Sequence, residues 1–230
     1  MPRRTRIAIA YFPHHIVQRG HRRADVFFSD LDRADYLNTL VECRSAMGLK
    51  VYAYCLMSNH VHLVVDPGAD SSGISRLMKR LAGRHARRLN TIHGWSGALW
   101  ESRFKCSPID TDRYLLACGR YVDLNPVRAK IVSTPEEYSW SSYRARAGLA
   151  ECPFLDPDPS LLALAHTEDR RAACYRQIAA MPFDESDLRL IRGQLQRNQL
   201  TGDDQFVQTV LRHAGIHVPI RQRGRPRKGR

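Results

Sequence analysis

His60 and His62 stand two residues apart in the stretch Val51-Tyr52-Ala53-Tyr54-Cys55-Leu56-Met57-Ser58-Asn59-His60-Val61-His62-Leu63-Val64-Val65. β-Branched, aromatic and aliphatic residues fill both arms, and Ser58-Asn59 supply a polar corner, so the stretch reads as a β-hairpin. Strand side chains alternate, and both imidazoles therefore leave the same face of the sheet. Two neutral imidazoles side by side on a rigid strand form half of a divalent-metal site. A His-x-His pair is a weak signal by itself, and the bland alternative is two half-buried histidines satisfied by backbone groups. The apolar surroundings sharpen the choice, because unpaired polar groups on a core-like strand are costly. A second pair lies further along. Tyr121 and Asn125 are four residues apart on a helical pattern, one turn above the other on one face. Tyr114, seven residues before Tyr121, falls on nearly the same face and is its rival as a reactive phenol.

The elements that must carry these groups follow from periodicity. His14-His15-Ile16-Val17-Gln18-Arg19 reads as a central strand closed by Gly20, with Arg19 and the basic loop His21-Arg22-Arg23 at its end. Residues 32–48 read as a helix that Asp30 or Asp32 can cap and Gly48 stops. The hairpin of residues 50–66 follows. Residues 73–91 form a second helix whose buried stripe is Ile74, Leu77, Met78, Leu81, His85 and Leu89. Its other positions carry Arg76, Lys79, Arg80, Arg84, Arg87 and Arg88 with no acid among them, either a solvated face or a phosphate-contacting one. Phe104 to Ile109 reads as a fourth strand that Pro108 ends or holds at an edge. Residues 111–125 form a third helix, starting at Asp110/Thr111 and ending at Asn125 because Pro126 follows. The order βαββαβ-α predicts an α+β fold: a ferredoxin-like four-stranded antiparallel sheet with helices on one face.

Lys and Arg number 36 against 23 Asp and Glu, a net charge of +13, which favours a polyanionic partner and most simply nucleic acid. Trp95 and Trp100, beside Arg103 and Lys105, are placed either to stack unpaired bases or to pin their loop to the core. The tail of residues 219–230 carries Arg223, Arg225, Arg227 and Lys228 without an acid, and Gly224-Arg225-Pro226-Arg227 has the form of a minor-groove arm or of a basic tail with no groove preference. Between core and tail, residues 151–159 look like a proline-rich linker and 160–218 like a helical appendage, with helices expected over 160–166, 168–180, 184–194 and 203–214. Six scattered cysteines without a Cys-x-x-Cys disfavour zinc fingers and fit a reducing cytoplasm. No signal peptide or membrane span is expected. Nor is there a dinucleotide fingerprint, a P-loop or a Gly-x-Ser-x-Gly elbow.

Three segments in order now carry a resemblance. Met57-Ser58-Asn59-His60-Val61-His62-Leu63-Val64, then Trp100-Glu101-Ser102-Arg103-Phe104-Lys105, then Tyr121-Val122-Asp123-Leu124-Asn125-Pro126-Val127-Arg128-Ala129, resemble the REP-associated tyrosine transposases of the single-tyrosine HUH, IS200-like group. The resemblance covers residues 10–145, within an expected domain of 1–150, and is weaker in the appendage and tail. It implies strand transfer on single-stranded or hairpin DNA. One Mg²⁺ or Mn²⁺ would be held by His60 and His62, with Asn125 as third ligand, and Tyr121 would be the nucleophile. A cytoplasmic, nucleoid-associated protein is expected, and monomer or homodimer stays open. Val61 departs from the polar or aromatic residue often found between the histidines, but alternation points it to the opposite face. Glu101 or Asp66 is a candidate carboxylate ligand. Two other classes stay in view: a non-catalytic DNA-binding regulator on the same fold, and a metal-dependent hydrolase of small phosphates, which leaves the charge and Tyr121 without a use.

Overall fold

The computed structural model describes residues 6–110 and 114–213. The basic tail with Arg223, Arg225, Arg227 and Lys228 lies outside the described residues. In chain order the elements are β1 (His14–Arg19), α1 (Asp30–Met47), β2 (Lys50–Leu56), β3 (His60–Asp66), α2 (Ser72–His93), β4 (Lys105–Pro108), α3 (Leu115–Asp123), α4 (Asn125–Arg128), α5 (Tyr143–Arg146), α6 (Pro159–Leu162), α7 (Glu168–Ala180), α8 (Glu185–Arg197) and α9 (Asp204–His213).

The sheet runs β2-β3-β1-β4, antiparallel throughout. This is the ferredoxin-like arrangement. Ile16, Leu63 and Cys106 share one face of the sheet, where they pack with Tyr36, Leu40, Leu77 and Leu81 of α1 and α2. The two crossover helices therefore lie on one face, as the alternation requires. The other face is not left to water: Ala53, Cys55 and Val64 pack there under Leu115, Cys118 and Val122 of α3 and Leu188 and Ile191 of α8. A sheet covered on both faces accounts for the nearly unbroken apolar runs of β2 and β3.

Local signals shift several boundaries. Helix α1 is capped by Ser29, not by Asp30 or Asp32: the Ser29 hydroxyl accepts from the Asp32 N–H, and the Asp32 carboxylate accepts from the Ser29 N–H at 2.9 Å, a reciprocal capping box. Gly48 ends it with φ of 63°. Helix α3 stops at Asp123 rather than Asn125, because Pro126 occupies the first turn of the new helix α4, where its missing N–H costs nothing. The stretch 151–159 lies against the core instead of standing free. Asp156 accepts two hydrogen bonds from one Arg44 nitrogen at 2.6 and 2.7 Å, and Phe154 packs 5.5 Å from Tyr54.

The appendage also closes a sheet edge. Thr201 N–H donates to Pro108 O at 2.7 Å, Asp110 N–H donates to Thr201 O at 2.8 Å, and Cys106 N–H donates to Asn198 Oδ1 at 3.0 Å. Strand β4 would otherwise present unpaired backbone groups.

Candidate active site

The register of the sheet places the site. Arg19 is opposite His60, Val17 is opposite His62, and His15 is opposite Val64, so all six side chains leave one face. That face is the one α3 covers. Tyr121 sits on the sheet-facing side of α3, with its ring 5.8 Å from His62 and 5.5 Å from His15, both edge-on. Asn125 follows one turn later, and its Nδ2 donates to Tyr121 O at 2.8 Å. His60, His62, Tyr121, Asn125, Arg19, Arg128, Arg192 and Gln196 line one cleft of about 240 Å³. A larger cleft of about 780 Å³ lies near Leu149, Pro153 and Leu161. Size is the weaker criterion here, because only the smaller cleft gathers imidazoles, a phenol and arginines.

The hydrogen bonds at the imidazoles bear on what they can bind. His60 Nδ1 lies 2.6 Å from Asn59 Oδ1; an amide oxygen only accepts, so His60 carries its proton on Nδ1 and keeps a lone pair on Nε2. His62 Nδ1 lies 2.9 Å from His15 Nε2, which ties up the same ring position in the second imidazole. Burial, then the charge of Arg19, lowers His60 to about 4. Burial, then His60, His15 and Arg19, holds His62 well below the usual histidine range. Both rings are thus neutral near pH 7, as a metal ligand must be. The bonds of Asn125 Nδ2 leave its Oδ1 unused by either of them. Two imidazoles and an amide oxygen fit a hard divalent cation that finishes its shell with water or phosphate oxygens. Among the described residues no cluster of three His, Cys, Asp or Glu side chains is close enough to hold a metal. Glu101 and Asp66 accordingly do not join the imidazoles: Asp66 accepts from Tyr52 and Gly68.

Tyr121 is buried, and burial raises its pKa; the nearby charge of Arg192 works in the opposite direction. The Arg128 guanidinium lies 4.4 Å from the centre of the Tyr121 ring, a cation–π contact on its face. Tyr114 is buried with Leu115 and Ile109 and does not line the cleft.

The basic residues separate into groups. Arg19 lines the cleft, and the exposed Arg22 and Arg23 sit beside the hairpin corner, where Asn59 Nδ2 donates to Arg23 O at 3.1 Å. Gly20 makes this close turn possible, since a Cβ there would stand 2.1 Å from Ala24 O. Lys105 bonds Gln196 at the cleft, and with Arg6 and Arg103 it lines an adjoining basic groove. Arg80, Arg84, Arg87 and Arg88 lie on α2, against the opposite sheet face. The absence of acids around α2 holds only along the chain: Arg84 pairs with Glu42 at 2.5 Å and Arg88 with Asp32 at 2.5 Å, both acids coming from α1. Trp100 pins its loop: its indole N–H donates to Ala82 O at 3.1 Å, and its ring lies 6.0 Å from His85. Of these two tryptophans Trp95 is the exposed one, stacked 4.3 Å from His93.

His15, Arg128 and Arg192 escape sequence reasoning. Strand alternation puts His15, Val17 and Arg19 on one face, but only the pairing of β1 with β3 reveals that it is the face of His60 and His62. Arg192 is 71 residues from Tyr121 in the chain, and no periodicity links the two.

The buried histidines predict a pH dependence of stability. Burial lowers His14 to about 4 and His15 to about 3 from an ordinary 6.5. With folded-state values below the unfolded ones, stability is complete above pH 6.5 and is lost as pH falls toward 4, on the order of 3 kcal/mol for a group as buried as His14. Asp123, raised by burial to about 6, opposes this, but as one group against at least three. Urea midpoints should therefore fall between about pH 7 and about pH 4.5. A flat midpoint across that range would contradict the burial of these rings.

Residues 9–125 match the family model described as transposase, IS200-like. Among solved structures, a REP-associated tyrosine transposase bound to a REP hairpin superposes with a TM-score of 0.52 at 13% identity, over 68% of this chain and 98% of that one. At that identity the likeness concerns the fold. A candidate transposase from Deinococcus radiodurans R1 is similar with a TM-score of 0.35 and 20% identity, over 59% of this chain and 97% of that one. No curated protein matches the chain.

Proposed function

The chain belongs to the IS200-like transposase family, and from that premise we propose that it cuts and rejoins single-stranded DNA beside hairpins of the REP type through a covalent bond to Tyr121. The observation that carries this reading is the meeting of the Tyr121 ring and the His62 ring at 5.8 Å in one cleft, although the two belong to different layers of the fold. In the forward step the Tyr121 oxygen bonds to the scissile phosphorus and the bond from phosphorus to O3′ breaks. The electron pair goes to O3′, which leaves as a 3′-OH after taking a proton, while the phenol gives its proton to solvent. The phosphodiester bond is exchanged for a 5′-phosphotyrosine of similar energy, so a 3′-OH can reverse the step and join strands without ATP.

His60, His62 and the Oδ1 of Asn125 would hold one Mg²⁺ or Mn²⁺, which when bound supplies charge neutralisation at the non-bridging phosphate oxygen. Arg19 in the cleft, Arg103 and Lys105 in the adjoining groove, and the exposed Arg22 and Arg23 by the hairpin corner would hold the DNA backbone electrostatically, with affinity falling steeply as salt rises.

The test is a labelled hairpin oligonucleotide with a single-stranded flank, incubated with the protein and Mg²⁺ or Mn²⁺ and resolved on a denaturing gel. A covalent adduct is expected. Chelation, or His62→Ala, should lower its rate by roughly 10²–10³-fold, the scale of losing a charge-stabilising group at the reacting atoms. Tight DNA binding with no adduct under any metal would make the chain a non-catalytic regulator instead.

A further inference from the structure

We propose that Arg192, supplied by α8 from outside the family-matched residues 9–125, is a second catalytic side chain: a fixed cation on the oxygen of Tyr121. This rests on the reading of Tyr121 as nucleophile given above. Helix α8 buries Leu188, Ile191 and Leu195, an i, i+3, i+7 stripe, against the same sheet face that α3 covers. The stripe turns the neighbouring positions Arg192 and Gln196 toward the rim of the cleft, and both line it. Arg192 and Tyr121 line this one narrow cleft, and the charge of Arg192 works against the burial that raises the pKa of the Tyr121 hydroxyl. An arginine can only donate, so toward the phenol oxygen it acts as a cation and leaves the phenol's own proton free to depart.

The three arginines of the cleft differ in what they touch. Arg128 lies over the face of the Tyr121 ring and is 6.0 Å from the ring of Phe183 as well. Arg19 projects from β1 opposite His60. Arg192 reaches the cleft from α8, and of the three it acts most strongly on the Tyr121 hydroxyl, ahead of Arg19. In cleavage that oxygen loses its proton while it attacks phosphorus; in rejoining it departs from phosphorus with the electron pair. A cation held on the oxygen favours the negative charge that develops on it in both directions, and Arg192 neither gives nor takes a proton. Because it acts on the transition state shared by the two directions, its loss should slow both by the same factor and leave the equilibrium between strand and adduct unchanged.

The experiment compares the full chain with Arg192→Ala and Arg192→Lys, and with Arg189→Ala, an exposed neighbour on α8, as control. The probe is the hairpin oligonucleotide with metal. Rates of adduct formation and of adduct release by an added 3′-OH strand are measured, with KM and Tm for each variant. Arg192→Ala should lower kcat roughly 10- to 100-fold in both directions, below the full effect of a dry oxyanion donor because the side chain is partly in water. KM should stay within about twofold, Tm should not move, and Arg192→Lys should recover part of the rate. A raised KM with unchanged kcat would overturn the proposal and make Arg192 a phosphate contact. A rate loss matched by a lower Tm and by Arg189→Ala would overturn it in favour of a role in docking α8. A wild-type chain that forms no adduct would instead overturn the nucleophile reading of Tyr121, and this one with it.

Discussion

Tyr121→Phe should leave no covalent protein–DNA adduct on a denaturing gel while hairpin affinity stays within about twofold, because the substitution removes one oxygen and little else. The ring keeps its edge contacts with His15 and His62 and its place under the Arg128 guanidinium. What is lost is the hydroxyl and a hydrogen bond it can make within the cleft. One such bond is worth about 1 kcal/mol net, too little to unfold a protein of this size. Loss of a nucleophile, by contrast, removes the covalent route altogether, so adduct formation should fall by at least ~10⁴-fold. Tyr114 cannot substitute, because it is buried outside the cleft beside Ile109 and Leu115. An undiminished adduct in the Phe variant would move the nucleophile elsewhere. A Phe variant that no longer binds hairpin DNA would mean that the phenol is a DNA contact instead.

Arg146→Ala carries the largest expected effect on stability. Arg146 is 4% exposed, Asp123 0% and Asp158 1%. The guanidinium lies 3.2 Å from Asp123 and 2.6 Å from Asp158, and donates to Tyr52 O at 2.9 Å. Asp123 also accepts from Ser142 and Tyr175, and Asp158 from Leu161 N–H at 2.7 Å. This network joins α3, β2, α5, α6 and α7. Gly119 is part of it, since a Cβ there would stand 2.6 Å from Arg146 Nη2. Removing the cation leaves two carboxylates buried together, and breaking a buried pair costs about 3–5 kcal/mol. For a chain of this length that should lower Tm by roughly 10 °C. The exposed pair Arg76–Asp70 is the contrast: its nitrogen and oxygen are 2.7 Å apart, but water screens both, and Arg76→Ala should leave Tm unchanged. Equal shifts in the two variants would mean that the Arg146 network adds nothing beyond a surface pair. Because Asp123 is two residues from Tyr121 on α3, the Arg146 variant should also lose adduct formation as the helix loosens.

Much of the scaffold was legible from the chain. His60 and His62 share a face because strand alternation allows nothing else. Gly48 stops α1 because only a residue free to adopt positive φ ends a helix that way. Tyr121 and Asn125 share a face through helical spacing, even though the helix breaks between them at Leu124. The errors arose where a distant partner overrode a local signal. Asp30 and Asp32 both look like caps, but the one carboxylate that completes the box does so from inside the helix, with Ser29 as cap. The α2 arginines look unpaired until α1 is laid beside them. The prolines of 151–159 suggest a linker, yet Asp156 finds Arg44, and Asp158 finds Arg146.

The amino-acid order alone therefore determined the strands, the helices and the face on which the two imidazoles stand, because each depends on repeats of two or four residues along the backbone, while composition alone determined the basic character of the whole. Only the folded chain decided that α3 would lie over those imidazoles, that His15 would stand behind His62, and that α8 would bring Arg192 to the phenol. Those meetings depend on strand register and on which apolar stripe finds which face of the sheet, and such choices are made across tens of residues by burial, where no short-range spacing records them.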